Sequence, residues 1–82
     1  MREMELHREL KVLIAEIIEV DDFDGDANFV SELGVDSMLA LEIVARIERR
    51  YHIRIPEECF AQLLTLNEVE RIVEEIMQPV NS

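Results

Sequence analysis

The sequence predicts an all-α fold: a small bundle of three main helices plus a short helix, with a long ordered loop between the first and second. Two observations point there. Apolar residues recur at helical spacing in three separated stretches. Only two glycines and two prolines occur in 82 residues, and all four fall at the borders of those stretches. A hydrophobic content of 49% with 33% charged residues is that of a folded chain, not a disordered one. Nothing divides the chain, so residues 1–82 are expected to form one domain. A domain of this size buries roughly 60–65% of its unfolded surface, which leaves a thin core and little room for a deep pocket.

The first helix is expected from about Glu3 to Val20. Leu6, Leu10, Leu13, Ile14, Ile17 and Ile18 form its inner stripe, and Glu5, Arg8, Glu9, Glu16 and Glu19 fill the other side. Asp21-Asp22 and then Gly25 should end it. Residues 21–36 make a long connection, but Phe23, Phe29, Val30 and Leu33 can reach back into the core and order it. Asn28 or Ser31 is placed to start a short turn inside it.

Asp36 is a good N-cap for a second helix from Ser37 to Arg50 or Tyr51. Ala40, Ile43, Val44, Ile47 and Tyr51 make its core stripe, and His52 suits its C-terminal end. The segment His52-Ile53-Arg54-Ile55 alternates like extended chain, and Ile55 is held from helix by Pro56. Pro56 then suits the first position of a short helix through Leu63 or Leu64, with Phe60 turned inward. Thr65-Leu66-Asn67-Glu68 reads as a capping box for the last helix. That helix turns Val69, Ile72, Val73 and Ile76 inward and is stopped by Pro79.

The net charge of −11 excludes nucleic acid and anionic membrane as natural partners and favours proteins with basic docking patches. Cys59 is the only cysteine, so neither an internal disulfide nor a cysteine metal cluster can form. It reads as a half-buried filler. No targeting segment or membrane span is evident, which sets a cytoplasmic expectation. Asp22-Phe23-Asp24-Gly25-Asp26 invites a calcium reading, but glycine arrives two places too early for an EF-hand loop. No metal site is expected.

Two features of the second helix carry the functional argument. Met38, Leu41 and Ala45 form a second apolar strip away from the core stripe, flanked by Glu42, Glu48 and Arg49. An apolar seam rimmed by charge is what a helix presents to a partner. Beside its start stands Ser37. A serine nucleophile is a poor reading, because no glycine follows two residues later and no strand precedes it. Neither His7 nor His52 has an evident orienting partner. The chain is therefore not expected to be an enzyme.

Covalent loading suits Ser37 better, and here the sequence resembles the acyl carrier protein family nearly end to end. Phe29-Val30-Ser31-Glu32-Leu33-Gly34-Val35-Asp36-Ser37-Met38 matches the stretch around the carrier serine. Leu41-Glu42-Ile43-Val44, Ile47-Glu48-Arg49-Arg50-Tyr51, Ile53-Arg54-Ile55-Pro56 and Leu64-Thr65-Leu66-Asn67-Glu68-Val69 follow in register. The resemblance implies that Ser37 carries 4'-phosphopantetheine, donated by coenzyme A through a phosphopantetheinyl transferase. The arm's thiol would then hold acyl groups as thioesters.

The resemblance also implies that Asp36 assists that transfer. Met38, Leu41, Glu42, Ala45, Glu48 and Arg49 would form the docking face for ketosynthase-type and other chain-modifying enzymes. Ile43, Val44, Ile47, Phe29, Phe60, Val69 and Ile72 would wall a sheltering cleft. Two departures stand out from fatty-acid carriers. Leu39 replaces an acidic residue often found there, and Arg46, Arg49, Arg50 and Arg54 put half of the eight basic residues in one place. Both would alter which partner patches can dock, and the arginine-rich helix with Arg54-Ile55-Pro56 looks more like discrete polyketide-type carriers, with fatty-acid synthesis as the alternative. An interaction module of the same fold without a prosthetic group is the other alternative. A monomer is the default expectation.

Overall fold

The computed structural model describes residues 2–77, with side chains from Glu5 onward. Three α-helices, α1 (Arg2–Ile18), α2 (Ser37–Tyr51) and α3 (Leu66–Met77), surround one core. A 3-10 helix, Glu57–Gln62, lies between α2 and α3. No strand occurs among the described residues. Helix α1 packs against both α2 and α3, and the 3-10 helix packs against α3.

The core follows the stripes. Leu10, Leu13 and Ile14 of α1 meet Ile43, Val44 and Ile47 of α2, and Val69 and Val73 of α3. Leu66, fully buried at the start of α3, joins them from within the expected capping segment. Leu6, Ile17, Ile18, Tyr51 and Ile76 are half-buried at the edges. Ala40 departs from its expected place, being exposed near the start of α2.

Both long helices before the loops end without glycine. Glu19 (φ 63°) and His52 (φ 56°) adopt left-handed backbone. Val20 N–H then donates to Ala15 carbonyl at 3.0 Å, and Ile53 N–H to Glu48 carbonyl at 3.2 Å. These are Schellman closures, which satisfy carbonyls left over at a helix end. The first helix thus stops ahead of Asp21, at Glu19, and His52 ends the second through its backbone.

The loop between α1 and α2 is ordered by two buried phenylalanines. Phe23 and Phe29 pack edge to face with centroids 6.4 Å apart. Val35 and Ala27 are buried too, whereas Val30, expected inside, is 61% exposed. It sits in a turn started by Asn28, whose Oδ1 accepts from Val30 N–H and Ser31 N–H. An irregular turn gave Val30 no face towards the core. Backbone bonds pin the loop to the chain before and at α3: Phe29 N–H to Leu64 carbonyl at 2.8 Å, and Asn67 N–H to Gly25 carbonyl at 3.0 Å. A Cβ on Gly25 would lie 2.6 Å from Asn67 Oδ1, so glycine permits this approach.

Pro56 precedes the short helix and is extended (φ −61°, ψ 144°), so the helix begins at Glu57 and winds as 3-10. Phe60 and Cys59 are half-buried against the core. Half of the expected capping box forms. Glu68 N–H donates to Thr65 Oγ1 at 3.2 Å, but the Glu68 carboxylate turns to Arg71 at 2.9 Å instead of back to Thr65. Pro79 lies outside the described residues.

Candidate functional site

The site begins with the entry to α2. Gly34 takes left-handed backbone (φ 69°), a conformation glycine adopts without the Cβ clash of other residues. Val35, buried, donates its N–H to Phe29 carbonyl at 2.8 Å. The chain then leaves the core, and Asp36 (φ −96°, ψ −176°) caps the helix, its Oδ1 accepting from Leu39 N–H at 2.9 Å. Ser37 is the first helical residue and is exposed. Since Asp36 provides the cap, the Ser37 hydroxyl is not needed for one.

Beside Ser37 opens an apolar cleft of about 270 Å³. Phe29 from the loop, Ile43 and Val44 from α2, and Phe60 and Leu63 from the 3-10 helix and its end form its walls. Ala40 and Leu41 line it next to Ser37. Three residues expected in its walls are elsewhere: Ile47, Val69 and Ile72 are plain core, 1–3% exposed, and do not reach the cleft. Ala40 and Leu63 take that place. Leu63 stands three residues after Phe60, a spacing that a 3-10 helix stacks on one side.

The outer strip of α2 is exposed, Met38 at 78% and Leu41 at 56%, with Glu42, Ala45 and Arg49 also exposed. Glu48 is the exception. It is half-buried, and its carboxylate accepts from Ile55 N–H at 2.8 Å, tying the extended segment to α2. Leu39 is half-buried against the core instead of displayed.

The histidines stand away from Ser37. His52 closes the far end of α2, roughly 22 Å along the axis at 1.5 Å per residue. His7 does have a carboxylate partner, contrary to expectation: its Nδ1 lies 2.7 Å from Glu70 Oε1, bridging α1 and α3. Asp22 pairs with Lys11 at 2.8 Å, and that bond, with the charge of Lys11, holds its carboxyl below the usual range. Among the described residues no three His, Cys, Asp or Glu side chains converge as a metal site would require, and no helix is long and apolar enough to cross a membrane.

An exposed serine at a helix start, next to an apolar cleft and without a base, suits a carried group better than a reaction. Residues 8–73 match the family described as the phosphopantetheine attachment site. The chain belongs to this family, that of the acyl carrier proteins, whose prosthetic group is 4'-phosphopantetheine and which carry acyl groups without catalysing their chemistry. Among curated relatives, it is 35% identical over 60 residues to polyketide-8 synthase acyl carrier protein 2 of Streptomyces avermitilis, covering 71% of this chain and 69% of that one. It is 37% identical over 70 residues to an acyl carrier protein of Streptomyces coelicolor, covering 82% and 76%. In structure it is similar to a type-II acyl carrier protein from Streptomyces verticillus involved in bleomycin biosynthesis. That match has a TM-score of 0.84 at 21% identity and covers 94% and 92% of the two chains, a likeness of fold.

Proposed function

We propose that Ser37 is the attachment residue and that residues 1–82 act as one carrier unit. The observation that carries this is the division of labour at the start of α2: Asp36 caps the helix, leaving the exposed Ser37 hydroxyl free beside the cleft. The residues fit the group. A phosphodiester on Ser37 Oγ would lie by the first-turn amides of α2, where the positive end of the helix dipole favours an anion. When bound, 4'-phosphopantetheine supplies a terminal thiol that carries acyl groups as thioesters.

The chain's own residues do the rest. Asp36 presents a carboxylate beside the serine for the transferase. The cleft walls exclude water from an apolar segment that enters between Phe29, Val44 and Phe60. The cleft's lining is apolar and it opens beside Ser37, which suits an acyl segment on the arm. Met38, Leu41, Glu42, Ala45 and Arg49 form the docking face, with Glu48 holding the segment behind it. Similarity to the Streptomyces avermitilis carrier and the arginine-bearing α2 support a place in polyketide-type synthesis.

Intact mass before and after incubation with coenzyme A and a broad-specificity phosphopantetheinyl transferase tests the assignment. A phosphopantetheine-sized gain is expected, absent in Ser37→Ala. An unmodified wild-type chain, beside a control carrier that is modified, would leave the fold as a protein-interaction module.

A further inference from the structure

The outward ridge of α2 runs through Met38, Glu42, Ala45 and Arg49, with Leu41 and Arg46 on its shoulders, at steps of three and four that keep one face. Its two ends differ. Near Ser37 stand exposed Met38 and Leu41 with the carboxylates Asp36 and Glu42. Towards the other end, with Arg49 roughly 16 Å from Met38 along the axis at 1.5 Å per residue, come Arg46 and Arg49, followed by Arg54 on the extended segment.

These three guanidiniums are exposed, and among the described residues none is held in an ion pair. Glu42 stands one turn before Arg46, yet the pair does not form. Arg50 differs: it lies 3.7 Å from Glu9 and 5.9 Å from the Tyr51 ring centroid, so it belongs to the packing of α1 on α2. Lys11 and Arg71 are likewise paired. In a chain with 19 acidic residues, three exposed arginines close in sequence, none of them in an ion pair, mark a surface that lacks its complement.

Resting on the carrier reading of Ser37, we infer that this ridge docks enzymes whose entrance bears a carboxylate cluster, met by Arg46, Arg49 and Arg54, beside an apolar notch that takes Met38 and Leu41. The ridge begins beside Ser37, whose loaded arm has to enter an enzyme, so the complement of these guanidiniums is an acidic protein surface. Guanidinium forks match carboxylates in a fixed geometry. A ridge acidic at one end and basic at the other fits its partner in one direction only, which aims Ser37 at the entrance. An entrance lined by Lys and Arg would meet like charge at the basic end, and selection against it follows from repulsion.

The test uses the full chain with a dye-bearing pantetheine on Ser37 and two ketosynthases, one with an Asp/Glu-lined entrance and one with a Lys/Arg-lined entrance. Binding is read by fluorescence anisotropy at low and high salt. The acid-lined enzyme should bind about tenfold tighter at low salt, and the advantage should shrink to about twofold in high salt as screening shortens. R46E/R49E should reverse the preference and R46K/R49K keep most of it. Circular dichroism checks folding, with R46Q/R49Q as a second variant that removes charge without reversing it.

Equal or tighter binding to the Lys/Arg-lined enzyme, a preference that survives both charge-removing variants, or binding to neither enzyme would overturn the inference. Loading is read first by mass. Failure to load Ser37 would overturn the carrier reading itself, whereas normal loading without the acidic preference would remove the docking inference alone.

Discussion

Asp36 and Ser37 are adjacent, both exposed and both of residue types that cap helices, yet their backbones give them different work. Asp36 is extended and accepts from Leu39 N–H, while Ser37 is already helical. Asp36→Ala should therefore lower stability by about 1 kcal/mol, read as an earlier urea midpoint. Ser37→Ala should leave the midpoint within about 0.5 kcal/mol of wild type while abolishing the mass gain on loading. A Ser37→Ala loss as large as that of Asp36→Ala would mean that the hydroxyl is structural. The cap was legible, because an Asp before a helical run is local chemistry. Glu48 was not. Its place on the outer strip followed from helix periodicity, but its bond to Ile55 N–H depends on how the chain folds back after His52. A contact made seven residues later through a left-handed turn leaves no trace in helix spacing.

At the scale of elements, the helices were readable and their stops were less so. The stripes of α1, α2 and α3 placed Leu10, Ile14, Ile43, Ile47, Val69 and Val73 correctly because a 3.6-residue period repeats along each. Helix α2 stops where expected, at Tyr51 before His52, but α1 ends at Ile18 on Glu19 in left-handed backbone, a conformation Glu does not favour, whereas the sequence pointed onward to Asp21-Asp22 and Gly25. Both positions make the same prediction. Glu19→Gly and His52→Gly should each raise stability by about 0.5–1 kcal/mol, the relief of the left-handed clash less the added freedom of glycine in the unfolded chain. Thermal or urea unfolding checks it, and a loss would mean that these side chains hold contacts worth more than the strain. The loop gave mixed results for a related reason. Phe23 and Phe29 were identifiable by size alone, but Val30 and Val35 are the same residue type: Val30 sits exposed in the Asn28 turn, and Val35 is buried with its N–H bonded to Phe29 carbonyl. Ala40 shows the limit on a helix: its angle faces the core, but the cleft opens there.

Across the whole molecule, α1 is joined to both partners by polar links as well as by core. His7 reaches Glu70 on α3, and Tyr51 of α2 donates its hydroxyl to Glu9 at 2.9 Å. The second link should be visible as an alkaline limb in stability. Burial, then the hydrogen bond to Glu9 and its negative charge, favour the neutral phenol, and Arg50 opposes them. The Tyr51 hydroxyl is pushed up from 10.0 to about 12. An unfolded chain releases that proton nearer 10, so between those values the folded state binds more protons than the unfolded one. Stability from this group is then complete below pH 10 and declines as pH rises towards 12. Tyr51 is the sole tyrosine, so phenolate absorbance reports this one group. Folded protein should show its phenolate midpoint near 12, and protein in strong denaturant near 10. Tyr51→Phe should flatten the fall of the urea midpoint across this window and leave a small loss at neutral pH from the missing bond to Glu9. A folded-state midpoint at the unfolded value would show that the link between α1 and α2 at Glu9 does not persist in solution, leaving Arg50 and the apolar core to join the two helices.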